Sequence, residues 1–304
     1  MFIMLVGAPA SGKSTWAKDF VIEAERRDLE AQIISSDKIR EELWGDESIQ
    51  NNPNEVFELA HKRIIEALRA KVDYVIFDAT NIKRKRRVQL MEKIKDFSDE
   101  KHCVVFAEPF YILQQRNMVR ARSVPEYVIN RMIEQFEMPL YSEGFNKIEI
   151  NNDNKLNLEE HVELMRDYNQ RNPHHSLDLL THCHKAGKYI WDNFPKTEDN
   201  SLVATAALIH DIGKPFTQTF YNTKGEKTEH AHYYRHENVG SYLTLMFKAD
   251  WTIKQRIRLA QIICYHMQPY FNKTDKAKRK WYAIFGDELV EQIEMLHEAD
   301  VMAH

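Results

Sequence analysis

Two groups of residues carry chemistry by their type and spacing. Gly7-Ala8-Pro9-Ala10-Ser11-Gly12-Lys13-Ser14, followed by Thr15, fits GxxxxGK[ST] between the apolar run Phe2–Val6 and an amphipathic stretch. In a loop of this kind Gly7 and Gly12 let backbone N–H groups curl around a polyphosphate. The next helix adds the positive end of its dipole, Lys13 reaches the β- and γ-phosphates, and Ser14 can ligate Mg²⁺. Strand, loop and helix in that order point to binding of a nucleoside triphosphate. The second group is His182, His210-Asp211, His236, His266 and Asp300, separated by 28, 26, 30 and 34 residues. Each gap is about one helix plus a loop, so a helical bundle brings the set to a common centre, where imidazole and carboxylate suit Mn²⁺, Fe²⁺, Co²⁺, Ni²⁺ or Zn²⁺ better than Ca²⁺. His210-Asp211 ends the apolar run Val203–Ile209, so two polar side chains are buried and need compensation.

Further residues say what the phosphate is for. Asp37, in Ser35-Ser36-Asp37-Lys38-Ile39-Arg40, falls at the carboxyl end of a second strand, where the ligand crevice of an open parallel sheet lies. It can accept a hydroxyl proton there, or cap the helix Lys38–Trp44, and Arg40 one turn on lies on the same side. Asp78 ends the third strand in position for Mg²⁺ or an acceptor hydroxyl, and Lys83–Arg87 is either a local anion patch or a solvated helix face. Arg116, Arg120 and Arg122 line a helix-to-loop stretch before Pro125, the pattern of a lid that neutralises charge at the γ-phosphate.

The elements needed to position these residues are legible as two patterns. In the first half the strand-like runs Phe2–Val6, Ala31–Ile34, Asp73–Phe77, His102–Phe106 and Lys147–Ile150 alternate with helical ones such as Asn54–Lys71, which argues for βαβ units and a parallel sheet. Asn151–Asn154 is polar and turn-prone, a linker. Beyond it helical patterns dominate, at 158–170, 176–193, 199–212, 236–248, 252–267 and 286–303, with loops at Asp192–Asn200 and Asn222–Glu229. The second half thus reads as an all-α bundle.

Composition agrees with two soluble domains. The 304 residues are 43% hydrophobic and 29% charged with 9 Gly and 9 Pro, which excludes collagen-like, low-complexity and largely disordered chains. Basic and acidic residues number 23 and 25 over 1–150 and 19 and 21 over 151–304, so no global basic field recruits nucleic acid. Of 14 histidines only His61 and His102 precede residue 151, which suggests a different chemistry in each half. Cys103, Cys183 and Cys264 form no CxxC pair and no apolar stretch is long enough to span a membrane, so a reducing cytoplasm is expected.

GAPASGKST, SSDKIR, FDATNIKRKRR and QQRNMVRARSVP together resemble the 5′-hydroxyl polynucleotide kinase branch of P-loop phosphotransferases. The resemblance implies an α/β P-loop kinase-like domain over 1–152, a parallel sheet flanked by helices. Lys13 and Ser14 would handle ATP and Mg²⁺, Asp37 would be the general base, Arg40 would orient the acceptor, and Arg116 and Arg120 would serve as lid residues. Ala206–Lys214 around His210-Asp211, Asn172–Asp178 before His182, His236–Gly240, Tyr265-His266-Met267 and Glu298-Ala299-Asp300 are similar to the binuclear subset of the HD phosphohydrolase superfamily. That similarity implies an all-α HD domain over 158–304. His182, His210, Asp211 and Asp300 would hold one metal, and His236 and His266 with a bridging Asp211 a second. It also implies metal-assisted attack of water on a phosphorus ester, with Lys214 steadying the phosphate. His184, His230, His232 and His297 are expected at surface or supporting positions, and His174 and His175 are undecided. Asp300 lies four residues from the end of the sequence, where chains fray, so it is expected to be held weakly until metal binds.

Together the halves imply a bifunctional end-healing enzyme. One half phosphorylates 5′-hydroxyl ends with ATP and Mg²⁺. The other hydrolyses 2′,3′-cyclic or 2′/3′-phosphate ends, on RNA in preference to DNA strands, and a ligase would act as partner. The same residues also fit a small-molecule or nucleoside kinase fused to a nucleotide phosphohydrolase, or an ATP-gated HD hydrolase without phosphotransfer.

Overall fold

A computed structural model describes residues 1–120, 122–173, 177–271 and 274–303; His174 and His175 lie outside the described residues. The first elements are β1 (Phe2–Val6), α1 (Lys13–Glu25), β2 (Ala31–Ser35), α2 (Ser36–Trp44), α3 (Pro53–Arg69), β3 (Tyr74–Asp78), α4 (Arg84–Lys93), β4 (Lys101–Phe106), α5 (Phe110–Met118), α6 (Glu126–Glu134) and β5 (Lys147–Asn151). The five strands form one sheet in the order β2-β3-β1-β4-β5, parallel throughout. Ile3, Leu5, Ile76, Val104 and Phe106 pack with Ala17 of α1, and β1 and β3 are apolar almost end to end because helices cover both faces of such a sheet. Parallel crossovers send every loop that leaves a strand end to the same edge, which gathers the phosphate-binding loop, Asp37 and Asp78 there; Ser35 and Asp78 stand side by side in register.

The remaining elements are β6 (Leu156–Asn157), α7 (Leu158–Glu163), α8 (Leu179–Asn193), α9 (Glu198–Ile209), α10 (Lys214–Thr217), β7 (Thr219–Tyr221), β8 (Lys227–His232), α11 (His236–Thr244), β9 (Phe247–Lys248), α12 (Ile253–Tyr265), α13 (Gln268–Phe271), α14 (Asp275–Phe285) and α15 (Asp287–Met302). Threonine side chains cap α9 (Thr197) and α12 (Thr252), the second in a capping box with Gln255. A Cβ on Gly187 of α8 would fall 2.8 Å from the Leu208 side chain, so the glycine allows α8 and α9 to approach closely.

The structure departs from the sequence expectations at several places. The helical second half also contains the antiparallel hairpin β7–β8 and the short parallel pair β6–β9. The stretch 222–229, expected as a loop, is a turn followed by the start of β8. Asn222 Oδ1 accepts from the N–H groups of Lys224 and Glu226, and Gly225 supplies a φ of 81°. The helix expected over 158–170 ends at Glu163, and α14 lies between the helices expected at 252–267 and 286–303. Asp37 is not an N-cap: Ser35 caps α2, its hydroxyl accepting from the N–H of Lys38, which leaves Asp37 in the first turn. The chain divides into two compact units, 1–132 with 139–153, and 133–138 with 154–304. A strap of six residues from within the first half therefore packs with the second unit. In it Phe136 lies edge-on to Tyr242 at 5.4 Å, and the Tyr265 hydroxyl donates to Met138 O at 2.7 Å.

Candidate functional sites

In the first unit the loop from β1 to α1 is shaped by its backbone. A Cβ on Gly7 would lie 2.7 Å from Phe106 O, so only glycine fits against β4. Ala10 and Gly12 take φ of 63° and 95°, which turns successive N–H groups inward as in anion-binding nests. Lys13 is buried, and its ammonium donates to Ala8 O at 2.7 Å and Ser11 Oγ at 3.2 Å, both neutral. Burial pushes its pKa down to about 8; Asp78 opposes the shift and Arg120 adds to it. A buried cation held by neutral acceptors is missing an anion, and a polyphosphate is the complement the loop is built for. Ser14 Oγ donates to Asp78 Oδ2 at 2.7 Å, a pair of oxygens that suits Mg²⁺. Thr15 is exposed on α1.

Asp37 Oδ1 is held by Arg40 at 2.6 Å and by Arg122 at 3.4 Å, and Arg122 also approaches Glu47 at 3.9 Å. The carboxylate stays partly exposed between two guanidinium groups. Arg116 pairs with Glu108 at 3.3 Å and Asp153 at 3.6 Å, and its guanidinium lies 3.8 Å from where a Cβ on Gly12 would stand. Arg120 is exposed on the segment after α5. The ends of that segment are tied by Asn117, whose amide donates to Val124 O at 2.8 Å and accepts from Val124 N at 2.9 Å. The basic run divides. Arg87 is fully buried in a bidentate pair with Glu143 (2.7 and 2.8 Å) and also bonds Asn81 O and Ile82 O, so it belongs to the core. Lys83, Lys85 and Arg86 face solvent, with Arg86 over the Phe57 ring at 4.6 Å.

In the second unit all six expected ligand residues come together and are buried. His182, His210 and Asp300 each offer an atom within 4.8 Å of the others, and so do Asp211, His236 and His266. Asp211 lies between the two sets, with Oδ2 3.3 Å from His210 Nε2 and Oδ1 3.1 Å from His236 Nε2. The helix ends explain the ring orientations. Nδ1 of His210, His236 and His266 lies 2.8 Å from the carbonyl oxygen three residues earlier (Ala207, Tyr233 and Ile263), so each Nδ1–H donates outward and each Nε2 points to the centre.

The donor set fits a divalent cation. His210 Nε2 is buried between two carboxylates, Asp211 Oδ2 at 3.3 Å and Asp300 Oδ1 at 3.4 Å, which outweigh burial and hold its pKa well above the ordinary imidazole range in the absence of metal. His236 Nε2 and His266 Nε2 face each other at 3.3 Å, and burial, with His236 and His210 nearby, pushes His266 down to about 3, so its Nε2 is a lone pair. Burial would raise the Asp211 carboxyl, but His210 and Lys214 hold it well below the usual carboxylate range. The His266 lone pair and the carboxylate oxygens of Asp211 and Asp300 converge on a buried point, where a metal ion can replace the proton on His210, and this nitrogen and oxygen set suits a transition metal.

Three supporting residues were not legible in the sequence. Tyr270 donates to Asp300 Oδ2 at 2.8 Å, and Asp300 Oδ1 lies 2.9 Å from His182 Nε2, so Asp300 sits fixed near the end of α15. Gln170 Oε1 accepts from Lys214 Nζ at 2.7 Å, while that ammonium also reaches Asp211 Oδ2 at 2.7 Å. Cys183 Sγ lies 3.8 Å from His210 Nδ1, on the side of the ring turned away from the centre. Gly213, between Asp211 and Lys214 at the end of the motif, lies against α11: a Cβ there would fall 2.1 Å from His236 O.

Comparison with known proteins matches residues 2–139 to the AAA domain and residues 174–301 to the HD domain. The chain joins a P-loop kinase-like domain to an HD domain. The first domain implies ATP and Mg²⁺, and the second a divalent metal. The chain is 32% identical over 144 residues to the L-seryl-tRNA(Sec) kinase of Methanococcus maripaludis, a match covering 46% of this chain and 53% of that protein. It thus spans about half the length of that curated relative. Among solved structures, it is similar to a chain of a Pnkp1/Rnl/Hen1 complex at 25% identity, over 41% of this chain and 40% of that one, with a TM-score of 0.34. It is also similar to a chain of the Pnkp1/Rnl/Hen1 RNA repair complex at 24% identity, over 44% and 43%, with a TM-score of 0.39. No described helix is long and apolar enough to cross a membrane.

Proposed function

We propose that the chain heals broken RNA ends, phosphorylating 5′-hydroxyl groups in its P-loop domain and hydrolysing 2′,3′-cyclic or 2′/3′-phosphates in its HD domain. The observation that carries the kinase half is the Asp37–Arg40 pair at the carboxyl edge of β2, beside the Ser14–Asp78 pair. An ATP switch needs the phosphate loop and the Ser–Asp pair but no partly exposed carboxylate clamped by two arginines. Bound ATP and Mg²⁺ supply the phosphoryl group and neutralise its charge. Lys13 grips the phosphates, Asp37 takes the acceptor hydroxyl's proton, Arg40 and Arg122 fix the Asp37 carboxylate, and Arg116 and Arg120 form the lid. The exposed Lys83, Lys85 and Arg86 offer a basic approach for a strand, and Arg86 is near enough to act on the charge of Arg40. The relative named for seryl-tRNA supports an acceptor carried on RNA.

In the HD domain His182, His210, Asp211 and Asp300 would hold one metal, and Asp211, His236 and His266 would hold a second. A bound divalent metal supplies Lewis acidity toward the ester and the attacking water. Asp211 fixes the spacing of the two sets, Tyr270 orients Asp300, and Lys214 stands ready to shift from Asp211 to a substrate phosphate. Asp37→Asn tests the kinase half. ATP is expected to bind with unchanged affinity while transfer to a 5′-hydroxyl oligoribonucleotide falls at least a hundredfold, within the range of general-base contributions. Undiminished transfer in that variant would remove Asp37 from the mechanism and return the P-loop to a switch.

A further inference from the structure

A cavity of 380 Å³ opens over the HD centre. It runs from Asp211, His266 and Asp300 to a wall formed by the end of β8 and the residues just after it, chiefly His232 and Tyr234. That is more room than an inorganic phosphate needs and falls within the range of small-molecule sites. The wall is built and held. His232 and Tyr234 stack at 5.3 Å with planes 9° apart, and His232 Nε2 lies 3.0 Å from Thr228 Oγ1. Between them Tyr233 is anchored at both ends, its hydroxyl donating to Gln170 O and its carbonyl accepting from His236 Nδ1. Tyr234 nevertheless remains 42% exposed, an aromatic face presented two residues from a metal-ligand position.

Resting on the reading of the HD centre as a hydrolase of 2′,3′-cyclic or 2′/3′-phosphates on a terminal ribonucleotide, we propose that the His232–Tyr234 wall is its nucleobase platform. The nucleoside whose phosphate lies at Asp211 stacks its base on Tyr234, with His232 as backing. Stacking uses the π-face that every base has, so this site accepts any terminal base. Among the described residues that line the cavity the one side-chain amide, Asn172, already donates to Ala231 O at 3.3 Å, which agrees with a site that does not read base edges. A repair activity facing breaks at arbitrary sequence needs such tolerance.

The test uses the full chain loaded with Mn²⁺ or Ni²⁺. It compares the 2′,3′-cyclic phosphates of adenosine and uridine with a base-free ester, glycerol 1,2-cyclic phosphate. The readout is the ratio of kcat/KM for nucleotide to kcat/KM for the base-free ester, with metal content and unfolding temperature measured on every variant. Tyr234→Ala is expected to lower the ratio about ten- to a hundredfold for both bases, the worth of one base–aromatic stack, and Tyr234→Phe to retain it. An unchanged ratio in Tyr234→Ala, or equal losses in Ala and Phe, overturns the platform and leaves the hydrolase reading standing. Wild-type protein that turns over the base-free ester but neither nucleotide overturns the platform alone, and metal-loaded protein that turns over none of the three overturns the hydrolase reading and the platform with it.

Discussion

Replacing Phe136 should destabilise the HD unit, although this residue precedes β5 of the kinase sheet in the chain. Phe136 is 1% exposed and lies edge-to-face with Tyr242 of α11. Its strap neighbours are tied to the same unit: Asn238 donates to Glu134 O at 2.8 Å, and Met138 N lies 3.3 Å from Cys264 Sγ. Phe→Ala in a packed core costs about 3–5 kcal/mol. Domains unfold with about 5–15 kcal/mol, so the loss is a large fraction of the total, worth roughly 6–20 °C for a unit of this size. Hydrogen exchange followed by mass spectrometry reads the location. In Phe136→Ala, peptides from α11 and α12 should lose protection by about two to four orders of magnitude, whereas β1, β3 and β4 should keep theirs. Loss of protection in the sheet strands with α11 and α12 unchanged would refute the assignment of the strap.

Other consequences follow from single residues. Lys13, pushed down to about 8 by burial, binds fewer protons folded than unfolded between that value and 10.5. Apo stability should therefore rise as pH increases through this window, by about 3 kcal/mol in total. Lys13→Met should abolish that rise in denaturant titrations and raise stability below pH 8, and an unaltered pH slope would count against a charged buried Lys13. Arg87→Met strands Glu143 in the core and should cost about 3–5 kcal/mol, much of it recovered in Arg87→Met/Glu143→Leu; urea midpoints that merely add would contradict the buried pair. Gly213→Ala forces a Cβ onto His236 O and should abolish metal loading by elemental analysis, whereas Gly225→Ala, with open space but a φ of 81°, should cost only about 1–2 kcal/mol. Full metal content in Gly213→Ala would show that α10 and α11 can separate without cost to the centre.

The sequence made legible what depends on neighbours in the chain. The glycine-containing loop, the His210-Asp211 doublet after an apolar run and the alternation of strands with helices are local patterns, and local physics shapes them. Asp37 illustrates the limit: Ser35, Ser36 and Asp37 can all cap a helix, and only the backbone shows that Ser35 does so, freeing Asp37 for Arg40 and Arg122. In the sequence nothing separates Arg87 from the rest of the basic run, whether read as anion patch or solvated face, because its partner, Glu143, is 56 residues away. The strap, Tyr270 on Asp300 and Gln170 on Lys214 likewise rest on distant pairings that no spacing encodes. The hairpin escaped because β7 has three residues and its turn carries a single glycine, too short for a period-2 pattern to stand out.

Under the proposed function two separate centres act on the two ends of one break. The most direct test is one oligoribonucleotide bearing a 5′-hydroxyl and a 2′,3′-cyclic phosphate. It is incubated with Mg²⁺ and either Mn²⁺ or Ni²⁺, with and without ATP, and both ends are read by mass. Wild-type protein should add phosphate at the 5′ end only with ATP and open or remove the terminal phosphate at the other end without it. Asp37→Asn should lose only the first change and Asp211→Asn only the second. An RNA left intact at both ends by metal-loaded protein would rule out end healing.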